Sequence, residues 1–508
     1  MQVPGDDGVR TNAELTEATA AGLRWITYTR IGLELLMLCS MVLLARLIPP
    51  AAFGIYAVVV IVQELAITMP MEGVGNALVQ RRAVQRSHLQ GGLALSLVVG
   101  TALAVVTLIA AELIARPLYG DETAHLLMIA APCFLLGAVG AVPLAVLRRR
   151  LDFARTSIVD IFGTLTRTVV TVVLAIGGLD AEALVLGHIA SMIVAVAVAL
   201  AFAMPPLPRW NSAAIRDLLP YGFPATLASV AWTGFRNGDY AIIGARLGAA
   251  QAGYYWRAYQ LAVEYQRKVS VVMTQMAFPI LARAASEDAM LALRRRMVQV
   301  LTVVLFPALV LLVVLAPVLV PWTFGPLWEP AVLPMQILAL GGGATLVIDA
   351  IGPALAATGR AKALLGYGVG HFVVYAGAVL LVSSRGIAAV ALAASVVHLI
   401  FVVVAYQVLL GGRGGIALRA LWIDLWPATG ACLALFAVGA PADWALSGAG
   451  SPPLIHMTLV AATGGLAYLL ALRTAFPIAF GDLVAVLRRV VPSRGRRLLG
   501  RFPRLRTP

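Results

Sequence analysis

Ionisable side chains recur inside the long apolar stretches of this sequence, and their types suit anions and protons. Arg30 and Glu34 lie one helical turn apart, while Asp160 and Arg167, like Arg257 and Glu264, lie two turns apart, so each pair shares a helix face. Glu64 with Glu72, Arg236 with Asp239, and Asp349 beyond Gly341, Gly342 and Gly343 complete the set. An ion at bilayer depth is costly and usually faces a bundle interior or an aqueous cavity. A guanidinium can grip phosphate oxygens through two parallel N–H donors, which makes Arg30, Arg167, Arg236 and Arg257 the candidate substrate-binding residues. A carboxyl group that gains or loses a proton changes the charge such a cavity holds, which makes Glu34, Glu64 and Asp239 the candidate ion-coupling residues. The competing account treats Arg30–Glu34 and Arg236–Asp239 as internal ion pairs that fix helix register, and for each pair the residues alone leave both open.

Other polar groups at depth read more plainly. His188, His371 and His398 sit on apolar segments and read as packed polar side chains rather than a proton relay. Tyr254, Tyr255, Trp256, Tyr259 and Tyr265 form an interfacial aromatic belt, with stacking on sugar faces as a second reading. Cys39, Cys133 and Cys432 each fall in an apolar run and behave as small hydrophobes, so no disulfide framework, metal site or cofactor is implied.

The elements that carry these groups are membrane spans. A chain of 508 residues with 61% hydrophobic and only 12% charged residues is too apolar for soluble domains. Its mean hydropathy of +0.91 says the same. Apolar runs of about 20 residues cross the hydrocarbon core as helices, and they are too continuous for the alternating strands of a membrane barrel. The expected fold is therefore an all-α polytopic membrane protein of about fourteen transmembrane helices. The segments lie near 25–47, 53–75, 91–115, 123–147, 157–176 and 183–204, then 223–247, 253–281, 298–320, 331–357, 363–382 and 387–410, then 421–440 and 454–473. The intramembrane charges concentrate in segments one, two, seven and eight.

Basic residues set the orientation. Alternate loops hold Arg81, Arg82 and Arg86, then Arg148 to Arg150 and Arg155, then Arg209 and Arg216, then Arg283 and Arg294 to Arg296. Arg360 with Lys362 and Arg413 with Arg419 continue the pattern, and the intervening loops hold only Arg46, Arg116, Arg246 and Arg385. The positive-inside rule then places both termini and the Arg-rich loops of a multi-pass membrane protein in the cytoplasm. Residues 1–22 lack the features of a cleavable signal and form a cytoplasmic N-terminal segment. The basic cytoplasmic tail 476–508, with Arg488, Arg489, Arg494, Arg496 and Arg497, is expected to rest on anionic lipid headgroups. The net charge of +14 is thus spread over short loops and a tail rather than gathered on a nucleic-acid-binding face.

The chain repeats itself. Ala45, Arg46, Leu47, Gly54 and Tyr56 match Ala245, Arg246, Leu247, Gly253 and Tyr255. Pro143 and Arg150 match Pro353 and Arg360, and GLDAEAL from Gly178 matches GIAAVAL from Gly386. The order and offset point to two copies of one unit in parallel orientation. Residues 23–208 and 209–412 are accordingly expected as two pseudo-symmetric six-helix lobes around a central cavity, followed by two C-terminal helices within 413–475.

With these residues in view, NGDYAIIGARLGAAQAGYYWRAYQLA followed by FPILAR resembles the second-lobe signature of bacterial polysaccharide-biosynthesis flippases. These are the O-antigen and exopolysaccharide transporters of the multidrug/oligosaccharidyl-lipid/polysaccharide exporter superfamily. ARLIPPAAFGIYAVV and EGVGNALVQRR resemble the matching first-lobe signature. The resemblance spans about residues 25–410 and implies that a polyprenyl-pyrophosphate-linked oligosaccharide, of the undecaprenyl type, is flipped from the cytoplasmic to the periplasmic leaflet by alternating access. It implies a basic cavity for the pyrophosphate, in which Arg257 lies inside the matched motif, and it leaves room for other polysaccharide-assembly proteins as partners. A drug/cation antiporter of the same superfamily is the alternative. A membrane glycan polymerase or ligase is a weaker one, because the periplasmic loops are short and no Asp-x-Asp, H-E-x-x-H or nucleophile-elbow motif is present. The expectation is a transporter and not an enzyme.

Overall fold

The structure, a computed structural model, describes residues 32–268, 270, 286–357, 361–409 and 414–490. The N-terminal segment 1–22, Arg30 and the tail beyond 490 lie outside the described residues. Among the described residues the regular structure is helical. The helices are α1 (32–47), α2 (Pro50–Gln80), α3 (Arg86–Tyr119), α4 (Asp121–Arg149), α5 (Phe153–Ile176), α6 (Ala181–Phe202), α7 (Ser212–Leu247) and α8 (249–268). They continue with α9 (Glu287–Phe324), α10 (Val332–Ala357), α11 (Ala361–Val382), α12 (Ile387–Leu409), α13 (Gly414–Gly448), α14 (Pro453–Ala475) and α15 (Pro477–Val490).

Eleven of these, among the described residues, are long and apolar enough to cross a bilayer: α2 to α6 and α9 to α14. About fourteen were expected from apolar runs. Helices stand at the other three positions, and for α7 and α8 the shortfall has a chemical cause. The described part of α1 is short, while α7 and α8 are diluted by the polar groups that make them interesting, among them Arg236, Asp239, Arg257 and Glu264. The protein is a multi-pass membrane protein, and its exposed surface agrees with lipid as solvent. Val98, Val105, Val106, Ile109 and Leu113 of α3 and Leu459, Leu466 and Leu470 of α14 all point outward.

The chain divides into two compact units, Met1–Gly253 and Tyr254–Pro508. In the first, α2 is the spine: it is far more enclosed than α3 or α5, and it packs on α4, α6 and α7. Helix α7, which the repeat pattern assigns to the second lobe, packs along α2 and α3 and belongs to this unit by contact. Small residues permit the closeness, as they must where lipid is as apolar as leucine and packing replaces the hydrophobic effect. A methyl group on Gly54 or on Gly253, the glycines shared by the two repeat copies, would overlap the backbone of Ala249 or Pro50.

Three of the Arg-rich loops meet at one end of this unit. Arg149 donates to the carbonyls of Leu78, Val79, Arg81 and Arg82, satisfying the C-terminal end of α2. Arg81 Nη2 lies 2.7 Å from Asp217 Oδ2 at the start of α7, which the His88 ring also meets at 3.3 Å. The loops before α3, before α5 and before α7 therefore share one face, as the charge alternation requires.

In the second unit α10 is the most enclosed helix, with 61% of its window buried, and packs on α9 and α12. Helices α13 and α14 lie on α9 through Val303, Ala428, Ala431, Leu435, Tyr468 and Leu472, and Tyr468 donates to the Val303 carbonyl at 2.7 Å. Glycines open α6 and α12 in the same way: Gly178 (φ 89°) and Gly386 (φ 96°), both in the left-handed region, stand at the head of the G-x-x-A-x-A-L repeat. The matched glycines are thus matched turns.

Candidate functional site: two intramembrane polar clusters

The first cluster is built on one face of α2. Tyr56 stands about two turns before the adjacent pair Gln63 and Glu64, and the three side chains reach α5, α6 and α7 in turn. Tyr56 is 1% exposed, and its hydroxyl accepts a 2.8 Å hydrogen bond from Arg167 Nη2 on α5. Gln63 Nε2 donates to the Val185 carbonyl of α6 at 3.2 Å. Glu64 Oε2 accepts from Asn237 Nδ2 of α7 at 3.3 Å, and the same amide also donates to the Thr233 carbonyl at 3.0 Å. Four helices thus contribute to one polar seam. Below it Pro70, which has no N–H to give, precedes a π turn over Met71–Gly75, and Glu72 there accepts from Asn76 at 2.8 Å.

The expected residues distribute as follows. Arg167 and Glu64 are both in this seam and half-buried. Arg236 is half-buried on α7, one residue before Asn237. Asp239 is 1% exposed, and its Oδ1 accepts from the Tyr240 N–H at 2.9 Å. Glu34 is half-buried on α1. Arg30 lies outside the described residues. Tyr56, Gln63 and Asn237 were not singled out by chemistry; only the placement of Tyr56 in the repeat motif marked it.

The second cluster lies in the other unit. Arg257 is 2% exposed, with its guanidinium 5.4 Å from the Trp256 ring, 5.5 Å from Phe324 and 5.2 Å from Trp328, and it donates to Gln260 Oε1 at 3.1 Å. The aromatic belt read from Tyr254–Tyr259 is in part this cage. A π turn over Gln260–Glu264 follows. It explains a mismatch in the repeat: the interval from Tyr255 to Glu264 is one residue longer than that from Tyr56 to Glu64, and a π turn holds one extra residue. Glu264 pairs with Arg267 at 3.4 Å. Farther along, His371 of α11 and His398 of α12 stand edge to face at 5.2 Å, beside Tyr375 and Phe401. Among the described residues no His/Cys/Asp/Glu group is arranged to hold a metal ion.

Chemically, the first seam offers a hydroxyl, a carboxylate, two amides and a guanidinium on helices rich in aliphatic side chains. Such a seam can hold phosphate and hydroxyl groups that lipid cannot solvate.

Known proteins share both sequence and architecture. The chain is 25% identical over 417 residues to the lipopolysaccharide biosynthesis protein WzxC of Escherichia coli K12, covering 81% of this chain and 85% of that one. It is 24% identical over 369 residues to the teichuronic acid biosynthesis protein TuaB of Bacillus subtilis, covering 71% and 76%. Among solved structures it shares the fold of the lipid II flippase MurJ in an inward closed conformation, with TM-score 0.67, 13% identity and coverage of 91% of this chain and 98% of that one. An inward-facing multidrug resistance MATE transporter of the MOP superfamily gives TM-score 0.61 at 15% identity, covering 77% and 95%. The family model described as polysaccharide biosynthesis protein matches residues 43–333, a stretch that holds the α2 seam, the Arg257 cage and both repeat signatures. By that match, which takes in more than half its length, the chain belongs to the polysaccharide biosynthesis protein family.

Proposed function

We propose that the protein is a flippase that carries a polyprenyl-pyrophosphate-linked oligosaccharide from the cytoplasmic to the periplasmic leaflet by alternating access. The observation that carries the reading is the four-helix seam of Tyr56, Gln63, Glu64, Arg167, Asn237 and the Val185 carbonyl, a polar track inside an apolar bundle. The sugar headgroup needs such a track, whereas the polyprenyl tail can remain in lipid. The family and the shared fold with a lipid II flippase support the lipid-linked class of substrate.

Roles follow from exposure. Arg167, aimed by its bond to the Tyr56 hydroxyl, and Arg236, half-buried on α7, are the proposed pyrophosphate-binding residues. Arg257 is proposed to meet substrate only when its Trp256, Phe324 and Trp328 cage opens, and Arg30 is proposed by its place one turn before Glu34. Glu34, Glu64 and Asp239 are the proposed ion-coupling carboxylates. We place the two six-helix lobes of the repeat, both termini and the Arg-rich loops by the charge alternation: loops and ends in the cytoplasm, the bundle in the inner membrane, and the basic tail on anionic lipid. No enzymatic step is assigned, and other polysaccharide-assembly proteins are candidate partners.

The test is to delete the protein from its host and ask in which leaflet lipid-linked glycan accumulates. A cytoplasmic build-up is the expected result; periplasmic build-up of unpolymerised units points to a polymerase or ligase. The MATE-like fold keeps one alternative, a drug/cation antiporter. Unchanged glycan in the deletion strain together with new drug sensitivity would favour it.

A further inference from the structure

The link between α6 and α7 leaves three apolar side chains uncovered. Met204 is 81%, Leu207 83% and Trp210 57% exposed, at intervals of three residues. Pro205, Pro206 and Pro208 fix their own φ, and each holds the residue before it in extended values, so residues 204–208 run as a polyproline II strand with three residues per turn. Met204 and Leu207 therefore stand on one edge, about 9 Å apart, and Trp210, the next in the series, is exposed with them. The link is held at both ends. Ala203 is buried beside Leu147, Val159 and Ala199. The Arg209 N–H donates to the Gln90 carbonyl of α3 at 3.4 Å, and the Asn211 side chain caps α7 by accepting from the Ala214 N–H at 3.0 Å.

We propose that residues 204–210 form an interfacial anchor, a stiff ridge whose Met204, Leu207 and Trp210 side chains sit among phospholipid headgroups and the first acyl carbons, with Arg209 on lipid phosphate.

Depth decides the occupant. Helix α6 has 22 residues, about 33 Å at 1.5 Å per residue, the length that a hydrocarbon core of about 30 Å requires. The chain that leaves it after Phe202 therefore enters the headgroup layer, where tryptophan is enriched in membrane proteins. Charge agrees with that layer. Arg209 is exposed on the ridge and Arg216 on the first turns of α7. Arg155 of α5 lies 5.5 Å from the Phe202 ring, with its side chain 48% exposed. The acids flanking the link are engaged: Asp152 meets Arg155 at 3.3 Å, and Asp217 meets Arg81 at 2.7 Å. The link thus offers positive charge to a layer of phosphates. Stiffness helps as well, because a strand already fixed by proline loses little conformational freedom when its side chains enter lipid. Since Arg209 and Asn211 tie the ridge to α3 and α7, its depth sets the height of α7, which carries Asn237 to Glu64. The inference requires that α6 cross the bilayer and does not require the flippase reading.

Full-length protein with Cys39→Ser, Cys133→Ala and Cys432→Ala receives Met204→Cys, Leu207→Cys, Pro208→Cys, Arg209→Cys or Trp210→Cys one at a time, each labelled with a nitroxide in phosphatidylethanolamine/phosphatidylglycerol liposomes. Power saturation compares collisions with oxygen, which concentrates in lipid, against collisions with a water-soluble nickel chelate. The oxygen-to-nickel ratio at 204, 207 and 210 is expected to exceed that at 208 and 209 by at least about threefold. Nickel reaching all five positions equally would overturn the anchor and leave the ridge to a soluble partner. Spin–spin broadening at Leu207→Cys that disappears on dilution in lipid would overturn it in favour of a second copy of the chain. Should the cysteine-free protein not fold, the wild type and Trp210→Phe in lipid brominated near the headgroup carry the test. The variant is expected to lose a quenched component of tryptophan fluorescence, and identical quenching in the two overturns the anchor equally. No glycan enters either assay, so a flippase reading that failed in cells would leave this result standing.

Discussion

Arg167 of α5 donates to the Tyr56 hydroxyl of α2 at 2.8 Å, joining a guanidinium to a phenol that is itself 1% exposed. The bond aims the guanidinium without neutralising it, since a phenol, unlike a carboxylate, leaves the positive charge available to an incoming anion. Arg167→Ala is expected to reduce export of lipid-linked glycan by roughly tenfold or more, the worth of a charge-assisted contact. Tyr56→Phe should have a smaller effect. Arg167→Lys should lie between, because it keeps charge but loses the fork. Leaflet-resolved glycan accumulation in complemented deletion cells gives the ranking, and equal export in all three variants would remove Arg167 from the binding role.

Glu64 accepts from Asn237 across α2 and α7, and Glu64→Gln preserves an acceptor while removing the titratable proton. If coupling runs through the first unit, Glu64→Gln or Asp239→Asn abolishes uphill export but leaves binding of substrate intact. Full export in both, combined with a loss in Arg167→Ala, would strip these carboxylates of that role and keep the binding seam. Export assayed across imposed pH gradients separates the two.

Much of the helical plan was legible before any coordinates, because lipid imposes a length and a composition on each span. The repeat was legible too, and it proved geometric: Gly54 and Gly253 are points of backbone contact, and Gly178 and Gly386 adopt the same left-handed turn. The side-chain environments were harder to read. Arg257 looked like an open cation, yet three rings enclose it, two of them from a stretch about seventy residues away. His371 and His398 looked like separate packed residues, since nothing in a helical period says that α11 and α12 will face each other at those positions. Helix-internal spacing can be read along a chain; the partner on the next helix cannot.

Asp217, at the start of α7 and outside the apolar spans, has its carboxyl held below the usual carboxylate range, first by the hydrogen bond to the His88 ring and then by the charge of Arg81. A carboxyl depressed in the folded state contributes stability that is fully present above its unfolded pKa of about 4 and is lost as pH falls through its folded value. The wild type should therefore lose thermal stability on acidification below about pH 4 more steeply than Asp217→Asn does. At neutral pH, Asp217→Asn should melt earlier. Unfolding of detergent-purified protein across pH 3 to 7 checks it, and parallel curves would show that this contact is energetically silent.

Arg294 of α9 meets Asp424 of α13 at 2.8 Å with side-chain exposures of 4% and 1%, and the Tyr406 hydroxyl donates to the same carboxylate at 2.7 Å. Arg295 approaches its other oxygen at 3.6 Å, while Arg296 holds Asp482 of α15 at 2.6 Å. Three consecutive arginines near the start of α9 thus reach α13 and α15, two of the three helices that follow α12. Removing Asp424 leaves the Arg294 guanidinium buried without its carboxylate, so Asp424→Ala should lower stability by about 3 to 5 kcal/mol. Replacing both partners together, as Arg294→Met with Asp424→Leu, should recover most of that loss, because an apolar pair carries no desolvation cost. Arg296→Ala, at an exposed pair, should cost under about 1 kcal/mol. If the double replacement melts as early as Asp424→Ala, the ion pair contributes through geometry that hydrophobic packing cannot reproduce, and α13 depends on it for its seat on α9.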